Sequence, residues 1–303
     1  MASFGDYNRV NTNVTAMDAQ LSLNKINRDL GESRLRLSTG FKINNAEDDA
    51  AGFAIATKLK SRVAGLEQAL QNVSDAKSLL GVVEGAYGSV IDNLIEMKSL
   101  ATQAANDTLS ATERGYISSQ INALGDDINS IAVSTKFNGL TLLDSNSLTF
   151  QVGEGTTDTK AVTLSEINVK TLFGPTDDTD LGDASNADIK MDLANDATRG
   201  EILFTSTADG VDFRALVGHI DDAIATMNNS MNQVGIDQRS LSGKEVNLTE
   251  AITANSAAKS RIMDTDFAKE QSNSIRLQIL QQTATAALSQ ANMGPQAVLG
   301  FLG

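Results

Sequence analysis

Between Leu59 and Ala104 the apolar residues keep a spacing that admits few folds. They stand at Leu59, Val63, Leu66, Leu70 and Val73, then at Ala76, Leu80, Val83, Tyr87, Val90, Leu94, Met97, Ala101 and Ala104, in steps of four and three. This is the narrow seam of a helix wound on partner helices, not the broad stripe of a helix lying on a globular core. Two three-residue steps in succession, Leu70 to Val73 to Ala76, predict a local overwinding of the supercoil. No proline interrupts the run, and a helix across it is roughly 70 Å long at about 1.5 Å per residue. It needs partners running alongside, from its own chain or from other copies.

Helical patterns flank this stretch on both sides. Leu23, Ile26, Leu30 and Leu37 mark one seam before Gly40, with polar Ser33 in its fourth place, while Val14, Met17 and Leu21 mark a displaced second face. Two partly apolar faces point to burial by more than one neighbour; a single amphipathic helix is the plainer alternative. Glu47, Asp48 and Asp49 sit where acidic groups favour the start of a new helix. Ser110 with Glu113 forms a capping box opening a third helix that carries Ile117, Ile121, Leu124, Ile128 and Ile131. The short turn before it makes it an antiparallel neighbour of the second, and Gly139 ends the region.

The character changes from Thr141 to about Phe213. Leu148, Phe150 and Val152 alternate with polar residues, and Ala161 to Ile167 reads as a returning strand, so a hairpin is expected. Gly174 to Gly200 reads as an exposed acidic loop, and Glu201 to Thr205 as a short strand. Helical spacing returns at Leu216, Ile220, Ala223, Met227, Met231 and Val234 and continues through Leu241, Leu248 and Ile252. A last helix carries Leu277, Leu280, Ala284, Ala287 and Ala291, and Asn292 with Gly294-Pro295 is expected to stop it. The fold class is therefore mainly α: a long coiled-coil or helical-bundle rod formed by N- and C-terminal helices, with a small central insert containing a β-hairpin.

Composition narrows the function. The 303 residues include 24 basic and 38 acidic side chains, a net charge of −14. That balance disfavours nucleic acid, whose phosphates call for lysine and arginine, and anionic membrane. Without cysteine there are no disulfides, thiolate metal sites or cysteine nucleophiles. No run of about 18 apolar residues offers a membrane span, and Met1 to Arg9 lacks the apolar core of a signal peptide. Export, if it occurs, is expected by a route that reads no such peptide.

Each catalytic constellation is missing. His219 is the single histidine, which excludes HExxH and multi-imidazole zinc. Gly153-Glu154-Gly155 lacks the third glycine of a dinucleotide fingerprint, and Gly243-Lys244 lacks the rest of a P-loop. Asp177, Asp178, Asp180 and Asp183 lack EF-hand spacing, and Asp48-Asp49 sits at a helix start rather than in a paired acid–base arrangement. No catalytic residue, cofactor or metal is expected. Seams without chemistry leave assembly: copies related by one non-closing operation build a helical filament.

The motifs then resemble bacterial flagellin, the flagellar filament subunit. They are Asn11-Thr12-Asn13, Arg36-Leu37-Ser38-Thr39-Gly40, Lys42-Ile43-Asn44, Asp48-Asp49-Ala50-Ala51-Gly52, Ala54-Ile55-Ala56 and Lys136-Phe137-Asn138-Gly139. Toward the C-terminus follow Ser260-Arg261-Ile262, Asp264-Thr265-Asp266-Phe267-Ala268, Ile279-Leu280-Gln281-Gln282, Gln290-Ala291-Asn292, Pro295-Gln296 and Val298-Leu299.

The resemblance implies an inner coiled-coil domain, 1–44 with 257–303, and a helical rod domain, 45–145 with 210–256. Residues 146–209 would be a hairpin and a short acidic variable region without large outer domains. It implies inner-layer self-assembly through Leu23, Ile26, Leu30, Leu37, Leu277, Leu280, Ala284, Ala287 and Ala291. The rod core would comprise Leu59, Val63, Leu66, Leu70, Leu80, Val83, Leu94, Ile117, Ile121, Leu124, Ile128, Leu216 and Ile220. The expected partners are other copies in a helical homopolymer, an export chaperone, the filament cap and hook-junction proteins, and the expected location is the extracellular filament, reached by the flagellar type III route. Flagellins recognised by the innate receptor TLR5 are similar around Leu94 to Gln103, including Leu100. They commonly carry Arg where this chain has Glu96 and Glu where it has Gln120, so weak TLR5 recognition is expected. The ending Gly300-Phe301-Leu302-Gly303 departs from the usual leucine-rich one. Alternatives of other kinds are a hook–filament junction adaptor of similar fold, a flagellin with a peptidase insert, and a cytosolic coiled-coil scaffold.

Overall fold

A computed structural model describes residues 12–144, 147–174, 189–192, 200–205 and 208–300, without the side chains of 190–192 and 294–300. Asp177, Asp178, Asp180, Asp183 and most of the expected acidic loop lie outside the described residues. The elements run α1 (Val14–Thr39), α2 (Ala50–Ala104), α3 (Ala111–Ser134), β1 (Lys136–Phe137), β2 (Leu140–Thr141), β3 (Ser147–Gln151), β4 (Thr159–Thr163), α4 (Val169–Phe173), β5 (Ile189–Asp192), β6 (Glu201–Phe204), α5 (Gly210–Met263) and α6 (Phe267–Gly300). The chain forms two compact units, Met1–Ala64 with Thr253–Gly303 and Gly65–Ile252, so α2 and α5 each contribute to both.

In the first unit α1 pairs with α6. The packed stripe of α1 is Ala16, Ala19, Leu23, Ile26, Leu30, Ser33 and Leu37, in unbroken three–four alternation. Leu30 and Ser33 are its buried members, and the Ser33 hydroxyl has no hydrogen-bond partner among the described residues. The second face, Val14, Met17 and Leu21, is exposed. Between α1 and α2, Oδ2 of Asp48 accepts the N–H groups of Asn44 and Asn45, each at 2.9 Å. These bonds, with Arg36 at 3.6 Å, hold the Asp48 carboxyl below its ordinary range. Asp49 accepts the Gly52 N–H at 2.9 Å and so caps α2. The linker from α5 to α6 passes antiparallel to Phe41, with the Thr265 N–H donating to Gly40 at 2.9 Å.

In the second unit one continuous apolar core joins α2, α3 and α5 to the β segments. Its α2 seam is Leu66, Ala69, Val73, Ala76, Leu80, Val83, Tyr87, Val90, Leu94, Met97, Ala101 and Ala104. The double three-residue step expected at Leu70–Val73–Ala76 is instead at Val63–Leu66–Ala69. Small Ala69 takes the interior position, and bulkier Leu70 leans on the flank of the core. The α5 seam is Phe213, Leu216, Ile220, Ala223, Met227, Ser230, Val234, Asp237, Leu241 and Leu248, with Ser230 where Met231 is expected. Lys77 meets Glu245 at 2.8 Å, Gln238 donates to Glu84 at 2.8 Å and Lys98 meets Asp221 at 2.6 Å, so α2 and α5 are antiparallel. The capping box of Ser110 and Glu113 is formed.

Three antiparallel strand pairs are present among the described residues. β3 pairs with β4 from Ser147↔Thr163 to Gln151↔Thr159, the expected hairpin. Its returning strand is shorter than expected; Leu164 and Ile167 leave it and are buried against the helices. β1 and β2 form a hairpin where only a helix stop is expected. Asn138 and Gly139 both have positive φ, 50° and 83°, the combination a tight primed turn demands and an Asn-Gly pair supplies. β5 pairs with β6, so Ile189, inside the segment expected to be an exposed loop, is a buried strand residue.

Candidate assembly surfaces

The α1–α6 pair holds the residues expected to assemble. On α6 the intrachain stripe is Ser274, Leu277, Gln281, Ala284, Leu288 and Ala291. Leu277 is buried and Ala284 and Ala291 are half-buried, but Leu280 and Ala287 are exposed and turned off the stripe. Gln281 and Leu288 take the places the spacing assigns to them, and Gln281 donates to Asn27 of α1 at 2.6 Å. Exposed Ile275, Ile279 and Met293 form a further apolar face of α6. From Leu277 to Met293 no side chain is ionisable. With Leu30 and Leu277 buried and Leu23, Ile26, Leu37 and Leu288 only half-buried among alanines and polar groups, the stripe is thin, and a helix pair held by it alone is marginal in water.

α6 also continues through Gly294-Pro295, where the sequence expectation ends it. A contact from the other end of the chain reaches this point: Nδ2 of Asn13 donates to the Ala291 carbonyl at 2.8 Å. Ala291 is four residues before Pro295, so its carbonyl is the one whose helical donor proline lacks.

Of the expected rod-core residues, Leu66, Leu80, Val83, Leu94, Ile117, Ile121, Ile128, Leu216 and Ile220 are buried together, with Leu70 and Leu124 packed against them. Half-buried Leu59 and buried Val63 belong to the first unit instead. In the receptor-like stretch Leu94 is buried, Leu100 is half-buried, and Glu96, Gln103 and Gln120 are exposed.

The β3–β4 hairpin is tied down by side chains that sequence spacing did not single out. Lys160 reaches Asp237 at 2.8 Å, and Asn72 of α2 donates to the Gln151 carbonyl at 3.1 Å. The Ser165 N–H bonds the Tyr87 hydroxyl, whose burial pushes the phenol up to about 12. Where α2 ends, two arginines cap it: Arg114 donates to the carbonyls of Ala104 and Asn106 at 3.0 and 3.2 Å, while Arg214 bonds Asp107 at 3.1 Å and the Ala105 carbonyl at 3.4 Å. Gly210 passes so close that a Cβ there would meet the Ala105 carbonyl at 2.9 Å. Only polar residues at seam positions, Ser230 and Asp237, carried a readable sign of these ties.

Comparison with known proteins places this arrangement. A solved Vibrio parahaemolyticus protein described as a flagellar hook-associated protein superposes with a TM-score of 0.55, over 72% of this chain and 100% of its own, at 16% identity. At that identity the likeness is of fold alone.

Sequence supplies the family. Residues 10–147 match the bacterial flagellin N-terminal helical region and residues 217–302 the bacterial flagellin C-terminal helical region. The chain is 33% identical to a flagellin of Bacillus subtilis over 310 residues and 31% identical to flagellin B of Vibrio anguillarum over 372, each alignment covering 97% of this chain and 99% of the relative. The chain belongs to the bacterial flagellin family. Its function is that of the family, a structural subunit of the flagellar filament, which is an extracellular appendage. No helix among the described residues is long and apolar enough to cross a membrane.

Proposed function

We propose that residues 1–44 with 257–303 form the inner layer of the filament and residues 45–145 with 210–256 the surrounding rod layer, with 146–209 outermost. The observation that carries this is the division of faces on α1 and α6. One stripe of each helix packs on the other, while Val14, Met17 and Leu21 on α1 and Ile275, Ile279 and Leu280 on α6 stay exposed within the single chain. Covering them with neighbouring copies removes that apolar surface from water, at about 25 cal/mol per Å², and completes a pair that is thin by itself. Leu280 and Ala287 then act between subunits, and Leu23, Ile26, Leu30, Leu37, Leu277, Ala284 and Ala291 within one.

The subunit acts without catalysis. It is exported by the flagellar type III route with a dedicated chaperone, adds beneath the filament cap, and meets hook-junction proteins at the filament base. Its recognition by TLR5 is weak, because exposed Glu96 presents the opposite charge to the arginine common in recognised flagellins. The test is polymerisation of purified Leu280→Glu protein, followed by sedimentation and electron microscopy. A buried charge at a subunit interface is expected to abolish elongation while thermal unfolding of the soluble chain stays unchanged. Normal filaments from this variant would overturn the assignment.

A further inference from the structure

We propose that Asn13 is the donor that lets α6 pass Pro295, and that this one side chain makes the start of α1 and the end of α6 order together. Its Oδ1 accepts the Ala16 N–H at 3.1 Å and the Thr15 hydroxyl at 2.7 Å, which begins α1. Its Nδ2 donates to the Ala291 carbonyl at 2.8 Å, across 278 residues of sequence. A proline inside a helix withholds the N–H that the carbonyl four residues earlier would accept, and leaving that part-buried carbonyl unpaired opposes the helix. A carboxamide carries an acceptor for one end and a donor for the other. Aspartate has no such donor, and a serine hydroxyl, which caps equally well, stands on a shorter side chain. The Gln281–Asn27 bond holds the same α1–α6 register further along the pair. Without α6 the Asn13 donor has no acceptor, and without α1 the α6 helix meets the break that its own sequence encodes at Gly294-Pro295.

This deepens the filament reading and rests on it only for the polymerisation readout. The test is a double-mutant cycle in the full-length chain with Asn13→Ser, Pro295→Ala and the pair, read by the critical concentration for polymerisation and by hydrogen exchange of residues 286–293. Asn13→Ser keeps a cap for α1 and removes the bond to α6. It is expected to raise the critical concentration about three- to tenfold, the range of one hydrogen bond, and to speed exchange in 286–293. In the P295A background, where the helix supplies its own donor, the same change is expected to cost less than twofold. Equal effects of Asn13→Ser in both backgrounds, or no effect in either, would overturn the proposal. If the unaltered chain fails to polymerise, the filament reading fails, and the exchange cycle on the soluble chain still decides the role of Asn13 by the same criterion.

Discussion

Lys160 of β4 places its ammonium 2.8 Å from the carboxylate of Asp237, a side chain 4% exposed in the seam of α5. A charge in a stripe of leucine, isoleucine and methionine is costly unless paired, and here the partner comes from the hairpin. The ion pair therefore fixes where the hairpin lies on the helix, as polar groups at seam positions fix register in coiled coils.

Removing the lysine leaves a buried carboxylate with Gln233, at 3.3 Å, as a remaining donor. Lys160→Met is expected to lower the stability of the soluble chain by about 2 kcal/mol, short of the cost for a fully buried pair because the lysine is partly exposed. Asp237→Leu, which makes the seam apolar throughout, is expected to be no less stable than the parent. Thermal unfolding of the two variants checks the contrast, and equal losses would rule it out.

Acid acts on two aspartates with opposite sign. The carboxyl of Asp48 is held low by the N–H groups of Asn45 and Asn44 and by Arg36. Its stabilisation is present above the ordinary carboxylate range and is lost as pH falls through the lowered value. Asp126 is held high by partial desolvation and by the charges of Glu201 and Asp127. Its ionised form is penalised at neutral pH, and the penalty fades as pH falls through the raised value and is gone below the ordinary range. At pH 7 Asp48→Asn is expected to destabilise and Asp126→Asn to stabilise, each by under about 1 kcal/mol for groups this exposed. The Asp126 difference should vanish near pH 3, while the Asp48 difference persists below the ordinary carboxylate range and fades only as pH falls through the lowered value, as chemical denaturation over a descending pH series would show.

Exchanging two exposed side chains should restore receptor recognition. Glu96→Arg with Gln120→Glu is expected to raise TLR5 signalling by purified monomer about tenfold or more, equivalent to some 1.4 kcal/mol of recovered electrostatic complementarity. A cell reporter assay over a dilution series measures it. Strong signalling by the unaltered monomer would contradict the reading of Glu96.

How far the fold was legible varies with how local its causes are. The α2 seam could be read because its large apolar residues leave one face and almost no alternative; the slip at Ala69 shows that size alone does not identify the inward residue. The Ser110–Glu113 box is legible because both its bonds lie within four residues. For the β1–β2 hairpin the sequence sign is the Asn138-Gly139 pair alone, because strands of two residues carry no alternation to read. On α6 apolar residues occupy several faces, and one sequence does not say which faces its own chain, so Leu280 and Ala287 were placed in a stripe that Gln281 and Leu288 occupy. The passage of α6 beyond Pro295 was illegible because its cause, Asn13, stands at the opposite end of the chain. The Arg114 and Arg214 caps depend likewise on three helix ends meeting in space.

The stretch of α6 from Leu277 to Met293 offers no group that can gain or lose a proton and no fixed charge for counter-ions to gather around. Salinity and acidity therefore have little purchase on it. A swimmer carried from fresh water into brine would feel the loss of charge–charge forces through the acidic remainder of the molecule, while contacts made by this stretch have no such forces to lose.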